Sequence, residues 1–262
     1  MKELARAKVN LSLHIVGKRA DGYHLLDSLV VFPDIGDVVH LTTAGFSISG
    51  PFAEGLSTTD NLVLKAAEFT GKTAGFHLEK NLPVASGIGG GSADAAATLR
   101  LLVGRDVPNC AALGADVPAC LCSKPLRMQG IGAALSPLPA LPEFAMLLVN
   151  AGAPVATADI FKALKSVNNS ASVALPSSLN TAAFFAFIKA QRNDMQTAAV
   201  ALCPSIGTVL AALAGQQNCA VARMSGSGGT CFGLFASYAA AKQAEAEVQR
   251  AHPSWWVKAA RV

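Results

Sequence analysis

The chain has 262 residues, 52% of them hydrophobic and only 15% charged, which excludes a disordered polymer and allows a substantial core. Its formal charge of +4 is small and spread without blocks, so it suits an anionic small molecule and is too weak and dispersed to argue for nucleic acid. Six cysteines with no Cys-x-x-Cys pair, and five scattered histidines, indicate neither a disulfide framework nor a zinc site.

Residues 1–6 run straight into patterned sequence with no apolar signal core, and a cytoplasmic protein with reduced thiols is expected. Residues 8–17 then alternate. Val9, Leu11, Leu13 and Ile15 take one face; Lys8, Asn10, Ser12 and His14 take the other. This predicts a strand with one core face and one polar face. The polar side is either solvated or, with Lys8 beside Asn10, turned toward a phosphate or hydroxyl. Residues 18–24 (Lys-Arg-Ala-Asp-Gly-Tyr-His) predict a charged turn with Asp21-Gly22 at its apex, leading into a segment over 25–32. Tyr23 and His24 are candidates for stacking on a base or sugar, or for plain packing. A strand is expected over 38–42 and the first turns of a helix over 61–68.

Residues 83–97 read Pro-Val-Ala-Ser-Gly-Ile-Gly-Gly-Gly-Ser-Ala-Asp-Ala-Ala-Ala, with four glycines within five positions ahead of a helical pattern. Glycine lets backbone amides turn inward, and the helix behind adds unpaired donors and a positive dipole end. The cluster therefore reads as an anion cradle, with Ser92 or Asp94 as the helix cap. It is not a Walker loop, because no lysine follows Gly91. It lacks the glycine spacing of a dinucleotide fingerprint, and Ser92 lacks the flanking glycines of a nucleophile elbow.

Asp116 lies between Gly114-Ala115 and Val117-Pro118, so it is held rigidly. It is either a helix cap or, beside a lysine, a catalytic carboxylate. The remainder predicts strands over 144–149, 219–224, 230–235 and 255–260. Helices are expected over 157–165, 181–190, 203–214 and 239–251, with Ser225 to Gly229 as a second glycine cluster. The longest uncharged stretch, 197–222, is broken by Pro204, Gly207 and Gly215, so it reads as a buried helix with its loops and not a membrane span. The order of elements suggests an α+β layer in the second half.

Taken together, these segments resemble the galactokinase, homoserine kinase, mevalonate kinase and phosphomevalonate kinase (GHMP) superfamily. The resemblance rests on Ala7-Lys8-Val9-Asn10-Leu11 with Arg19 to His24, on Pro83 to Ala97, on Leu113 to Pro118, and on Met224 to Gly228, and it spans nearly the whole chain. It implies an α+β, two-lobed fold, with a ribosomal-S5-like α/β lobe over 1–142, a ferredoxin-like lobe over 143–262, and the active site between them. It also implies ATP-dependent phosphorylation of the 2-hydroxyl on the methylerythritol part of a cytidine diphosphate conjugate, a step toward isoprenoid precursors. Lys8 and Asp116 would be catalytic. Asn61, Leu62 and the loop Pro83, Val84, Ala85, Ser86, Gly87, Ile88, Gly89, Gly90, Gly91, Ser92 and Ala93 would hold ATP. Asn10, Tyr23, His24, Thr157 and Phe161 would bind the alcohol. Mg²⁺ would arrive with ATP, as no dedicated metal cage is visible, and the chain would act as a monomer or weak homodimer away from membranes. The alternatives are a homoserine- or mevalonate-class kinase, which Tyr23 and His24 weigh against, and an inactive nucleotide- or sugar-binding regulator, which Lys8 and Asp116 weigh against. Ala93 stands where the family usually has serine, Val84-Ala85-Ser86 replaces a more glycine-rich approach, and the connection over 104–112 is short.

Overall fold

A computed structural model describes residues 1–153 and 155–262. The first half carries strands β1 (Lys2–Arg6), β2 (Val9–Asn10), β3 (His14–Lys18), β4 (His24–Val31), β5 (Gly36–Thr42) and β6 (Phe46–Ser49). Helix α1 (Leu62–Phe69), strand β7 (Gly75–Glu79), helices α2 (Gly90–Val103) and α3 (Val117–Cys122), and strands β8 (Leu126–Gly130) and β9 (Ala134–Pro137) follow. Asn61 caps α1 by accepting from the Val63 amide at 3.0 Å, the bond that stops the helix pattern from extending backward. One sheet runs β1-β5-β7-β6, with β6 and β7 parallel across the α1 crossover. A second runs β2-β4-β8-β9, with β3 also on β4. Helices α1, α2 and α3 pack with the first sheet around Val39, Phe76, Leu78 and Leu99.

The second half carries β10 (Ala145–Asn150), α4 (Thr157–Lys162), α5 (Thr181–Ala190), α6 (Gln196–Leu202) and α7 (Pro204–Ala214). Strands β11 (Val221–Met224) and β12 (Thr230–Phe235), helix α8 (Tyr238–Ala251) and strand β13 (Trp256–Arg261) complete it. The sheet order β11-β12-β10-β13 is fully antiparallel, the ferredoxin-like arrangement expected from the chain order. Every residue of β10 and β12 is buried, since both faces of this sheet are covered. Helices α6, α7 and α8 close one face around Val149, Ile206, Val209 and Val248. The other face meets α5 and the β2–β4 sheet through Phe144, Phe184, Phe232, Val9 and Leu29. That shared core fuses the two halves.

Two expectations change. The strand over 8–17 is interrupted: β2 and β3 pair with β4 at either end, and residues 11–13 bend between them. Its polar face is also buried, with Lys8, Asn10, Ser12 and His14 all at 5% exposure or less. Buried polar groups persist only when bonded. Ser28 Oγ donates to Ser12 O at 2.6 Å and accepts from Asn10 Nδ2 at 2.7 Å. The stretch 197–222 is two helices, α6 and α7, bent by 119° at Cys203-Pro204. Among the described residues no single helix is long and apolar enough to cross a membrane.

Candidate active site

A cavity of about 540 Å³ opens between the glycine loop, the β2 strand and the loops after β10 and β11. Its floor begins at Gly89. This residue caps α2 in the left-handed region (φ 64°), so the helix starts inside the glycine cluster, ahead of Ser92 and Asp94. The expected side-chain cap is therefore replaced by a glycine, because only a residue without Cβ takes this turn at no steric cost. The first-turn amides of Gly90, Gly91 and Ser92 have no acceptor within the helix, and all three residues line the cavity. The Ala93 amide already donates to Gly89 O at 2.8 Å, so Ala93 closes the helix and its methyl lies in the core.

Lys8 and Asp116 converge on this floor. Lys8 Nζ donates to Asp116 Oδ2 at 2.7 Å, across 108 residues of chain. A side chain on Gly89 would meet Lys8 Cβ at 3.3 Å and Asp116 Oδ2 at 3.7 Å, so both groups lie against the cradle. Asp116 stands at the cap position of α3, yet its carboxylate makes no cap bond and turns to the lysine instead. The lysine is fixed from behind, because its amide donates to Ile88 O at 2.9 Å. Asn10 follows on the same wall. The Ser28 hydroxyl spends its only proton on Ser12 O, so it must accept from the Asn10 amide nitrogen. This fixes the amide orientation and leaves Asn10 Oδ1 buried, without a partner among the described residues. A buried acceptor in that state is costly to leave unpaired.

The second glycine cluster braces the first. Ser225 Oγ donates to Gly87 O at 3.0 Å and accepts from the Asn10 amide at 3.1 Å. The Thr230 amide donates to Ser86 O at 3.0 Å. Gly87 has φ 75°, and a Cβ there would lie 2.6 Å from both Gly228 O and Ser225 O. Asn193 ties the brace to the body by donating to Met224 O and Gly226 O, each at 2.8 Å. At the cavity rim Thr157 Oγ1 and Ser227 Oγ lie 2.7 Å apart.

The remaining expected residues separate. Pro83, Val84, Ala85, Ser86 and Gly87 line the cavity, as do Thr157 and Phe161. Ile88 points into the core between the halves and offers only its carbonyl. Leu62 packs against Gly91 from behind, and Asn61 is occupied as the α1 cap, so neither lines the main cavity. His24 stacks on Phe161 with centroids 4.4 Å apart and planes 16° apart. Burial and then the nearby Lys18 charge lower its pKa, so the ring is held neutral. Tyr23 is 63% exposed at the hairpin tip and does not line the cavity.

Other wall residues carry no local sequence signal. Leu13, Leu26, Val155 and Met195 form an apolar side, and their positions depend on long-range packing. Lys80 also lines the cavity and bonds the carboxylates of Asp37 at 2.5 Å and Asp94 at 2.7 Å. Among the described residues, no cluster of three His, Cys, Asp or Glu side chains could hold a metal ion.

The GHMP kinases N terminal domain matches residues 61–124, and the GHMP kinases C terminal domain matches 182–254. A 4-diphosphocytidyl-2-C-methyl-D-erythritol kinase of Paracoccus denitrificans is 54% identical, covering 98% of this chain and 95% of that protein. A second, from Dinoroseobacter shibae, is 50% identical over 97% of this chain and 92% of its own length. A crystal structure of 4-(cytidine 5'-diphospho)-2C-methyl-D-erythritol kinase superposes with TM-score 0.77 at 29% identity, covering 99% of each chain. Homoserine kinase from Cytophaga hutchinsonii, at 16% identity and TM-score 0.62, shares the fold. The chain belongs to the GHMP kinases and, within them, to the 4-diphosphocytidyl-2-C-methyl-D-erythritol kinase family.

Proposed function

We propose that this kinase transfers the γ-phosphoryl group of ATP to the 2-hydroxyl of 4-diphosphocytidyl-2-C-methyl-D-erythritol, with Asp116 as base and Lys8 as its charged partner. The observation that carries this reading is the Lys8 Nζ to Asp116 Oδ2 bond of 2.7 Å lying against Gly89. The hydroxyl oxygen forms a bond to the γ-phosphorus while the bond to the β–γ bridging oxygen breaks. The hydroxyl proton passes to Asp116, and ADP leaves with the electron pair. Such a transfer needs alignment and charge neutralisation more than covalent help. The Lys8 ammonium, 2.7 Å from the carboxylate, balances its charge and holds it in position to receive the proton.

The amides of Gly90, Gly91 and Ser92 supply donors for the phosphates at a positive helix end. Asn10 Oδ1 accepts from the alcohol. The His24–Phe161 stack offers a flat surface for the cytosine, with Thr157 at the rim bonding the substrate. Mg²⁺ travels on the nucleotide, held largely by its phosphate oxygens. Asn61 and Leu62 sit behind the loop on the adenine side, and the two lobes divide between residues 142 and 143. Six unpaired cysteines support work in a reducing compartment, the cytoplasm.

Purified protein incubated with Mg-ATP and each alcohol in turn tests the assignment. ADP release and a phosphorylated product are expected only with the cytidine diphosphate conjugate. Turnover of homoserine or mevalonate alone, or binding with no turnover, would overturn it.

A further inference from the structure

The sequence places no lysine behind Gly91, where a Walker-type loop carries the cation that meets the phosphates. The fold brings one from elsewhere. Lys80 follows β7, lines the main cavity, and sets its Nζ 3.1 Å from the point where Gly90 would carry a Cβ. This is the first turn of α2, whose free amides face the same space. An ammonium has three donors. Asp37 Oδ2 takes one at 2.5 Å and Asp94 Oδ2 another at 2.7 Å, and among the described residues nothing takes the third. Asp37 is itself fixed by the amides of Asn81 at 2.6 Å and Leu82 at 2.7 Å. The cation is thus locked before any ligand arrives, which removes the ordering cost of a free lysine.

We propose that Lys80 is the cation of the triphosphate cradle: its third N–H bonds a phosphate oxygen of ATP while Asp37 and Asp94 hold the ammonium in place. The proposal rests on the kinase reading of this cavity.

Charge balance supports it. Two ionised carboxylates around one ammonium would leave a net negative charge under a polyanion. Asp94 avoids this. It is buried, and its Oδ1 has no partner among the described residues. Burial first, and then the Asp37 charge, push its pKa up to about 8 against the pull of Lys80. Burial alone would lower Lys80, but Asp94 and Asp37 outweigh it and raise its pKa. At neutral pH Asp94 therefore keeps its proton and the cluster is neutral.

The other elements packed on α2 change this little. Cys120 on α3 is held un-ionised by burial, and Arg100 of α2 itself is paired with Glu3 of β1. Lys65 of α1 turns outward to Asp60, and the Lys8–Asp116 pair lies beyond Gly89. Raising the pH through 8 ionises Asp94, adds a negative charge beneath the phosphates, and weakens ATP binding.

Calorimetric titration of the full chain with Mg-ATP, without the alcohol, tests this. Wild type should lose affinity several-fold between about pH 7 and pH 9. It should also take up protons on binding near pH 8.5, read from the heats in buffers of different ionisation enthalpy. Asp94→Asn should abolish both effects. Lys80→Met combined with Asp94→Asn should bind at least about tenfold more weakly than Asp94→Asn alone. Equal binding by these two variants would overturn the role of Lys80. Should that double variant fail to fold, Lys80→Gln combined with Asp94→Asn, which keeps a donor for Asp37, decides by the same comparison. Wild type that binds no ATP at all would instead remove the kinase reading itself.

Discussion

Two lysines meet carboxylates around one cavity, and they do so in opposite ways. Lys8 has a single partner, and the Asp116 side chain keeps 30% of its surface exposed. Lys80 has two partners, and all three side chains are at 5% exposure or less. On the roles proposed for them, the difference teaches how one type of ion pair suits two tasks. A carboxylate that receives a proton must be reachable and must not be fully committed. A cation that fixes a charge distribution must be immobile, and two carboxylates in a dry setting make it so.

Breaking the open pair should have the largest effect. Asp116→Asn keeps the shape of the site but removes the proton acceptor, and kcat should fall by up to about 10⁴-fold. Circular dichroism and the melting temperature should stay close to wild type. A near-normal rate would remove Asp116 from the mechanism. Breaking the sealed group should act on folding first. Asp37→Ala strips Lys80 of one partner and strands two amides, and should cost about 3 kcal/mol or more in urea unfolding. A loss under about 1 kcal/mol would show that this cluster is not the locked element described here.

The seam between the two groups separates them further. Gly87→Ala forces a side chain to φ 75° and into Gly228 O, and should cost about 2 kcal/mol while raising KM for ATP. Ser225→Ala deletes the bonds to Gly87 O and the Asn10 amide, and should cost about 1 kcal/mol with a smaller KM change. If KM for ATP is unchanged in both variants, the second glycine cluster does not brace the first.

Much of the open site is legible in the sequence, and little of the sealed one is. Lys8 and Asp116 sit in compact motifs whose neighbours constrain them, and the glycine run declares its own geometry. Lys80 sits between Glu79 and Asn81, in what reads as an ordinary polar stretch. Its partners lie 43 residues before it and 14 after it, so only the closed fold brings them together. The alternation over 8–17 shows that two faces differ in polarity. It does not show that a second layer covers the polar one, which is how Asn10 and His14 come to be buried. The strands of the second half are legible because each is a mostly apolar segment flanked by turn residues. Strands β1, β6, β7, β8 and β9 are four or five residues long with partly exposed positions, and no local run marks them out.

The interlocking of Gly87 with Gly228 bears on how the enzyme is made. The Ser86 carbonyl waits for the Thr230 amide, which the ribosome delivers only after most of the protein has been translated. We expect a nascent polypeptide to lack a finished nucleotide cradle until that segment emerges. Stalled chains ending before residue 225 should not retain ATP, whereas chains tethered beyond residue 262 should.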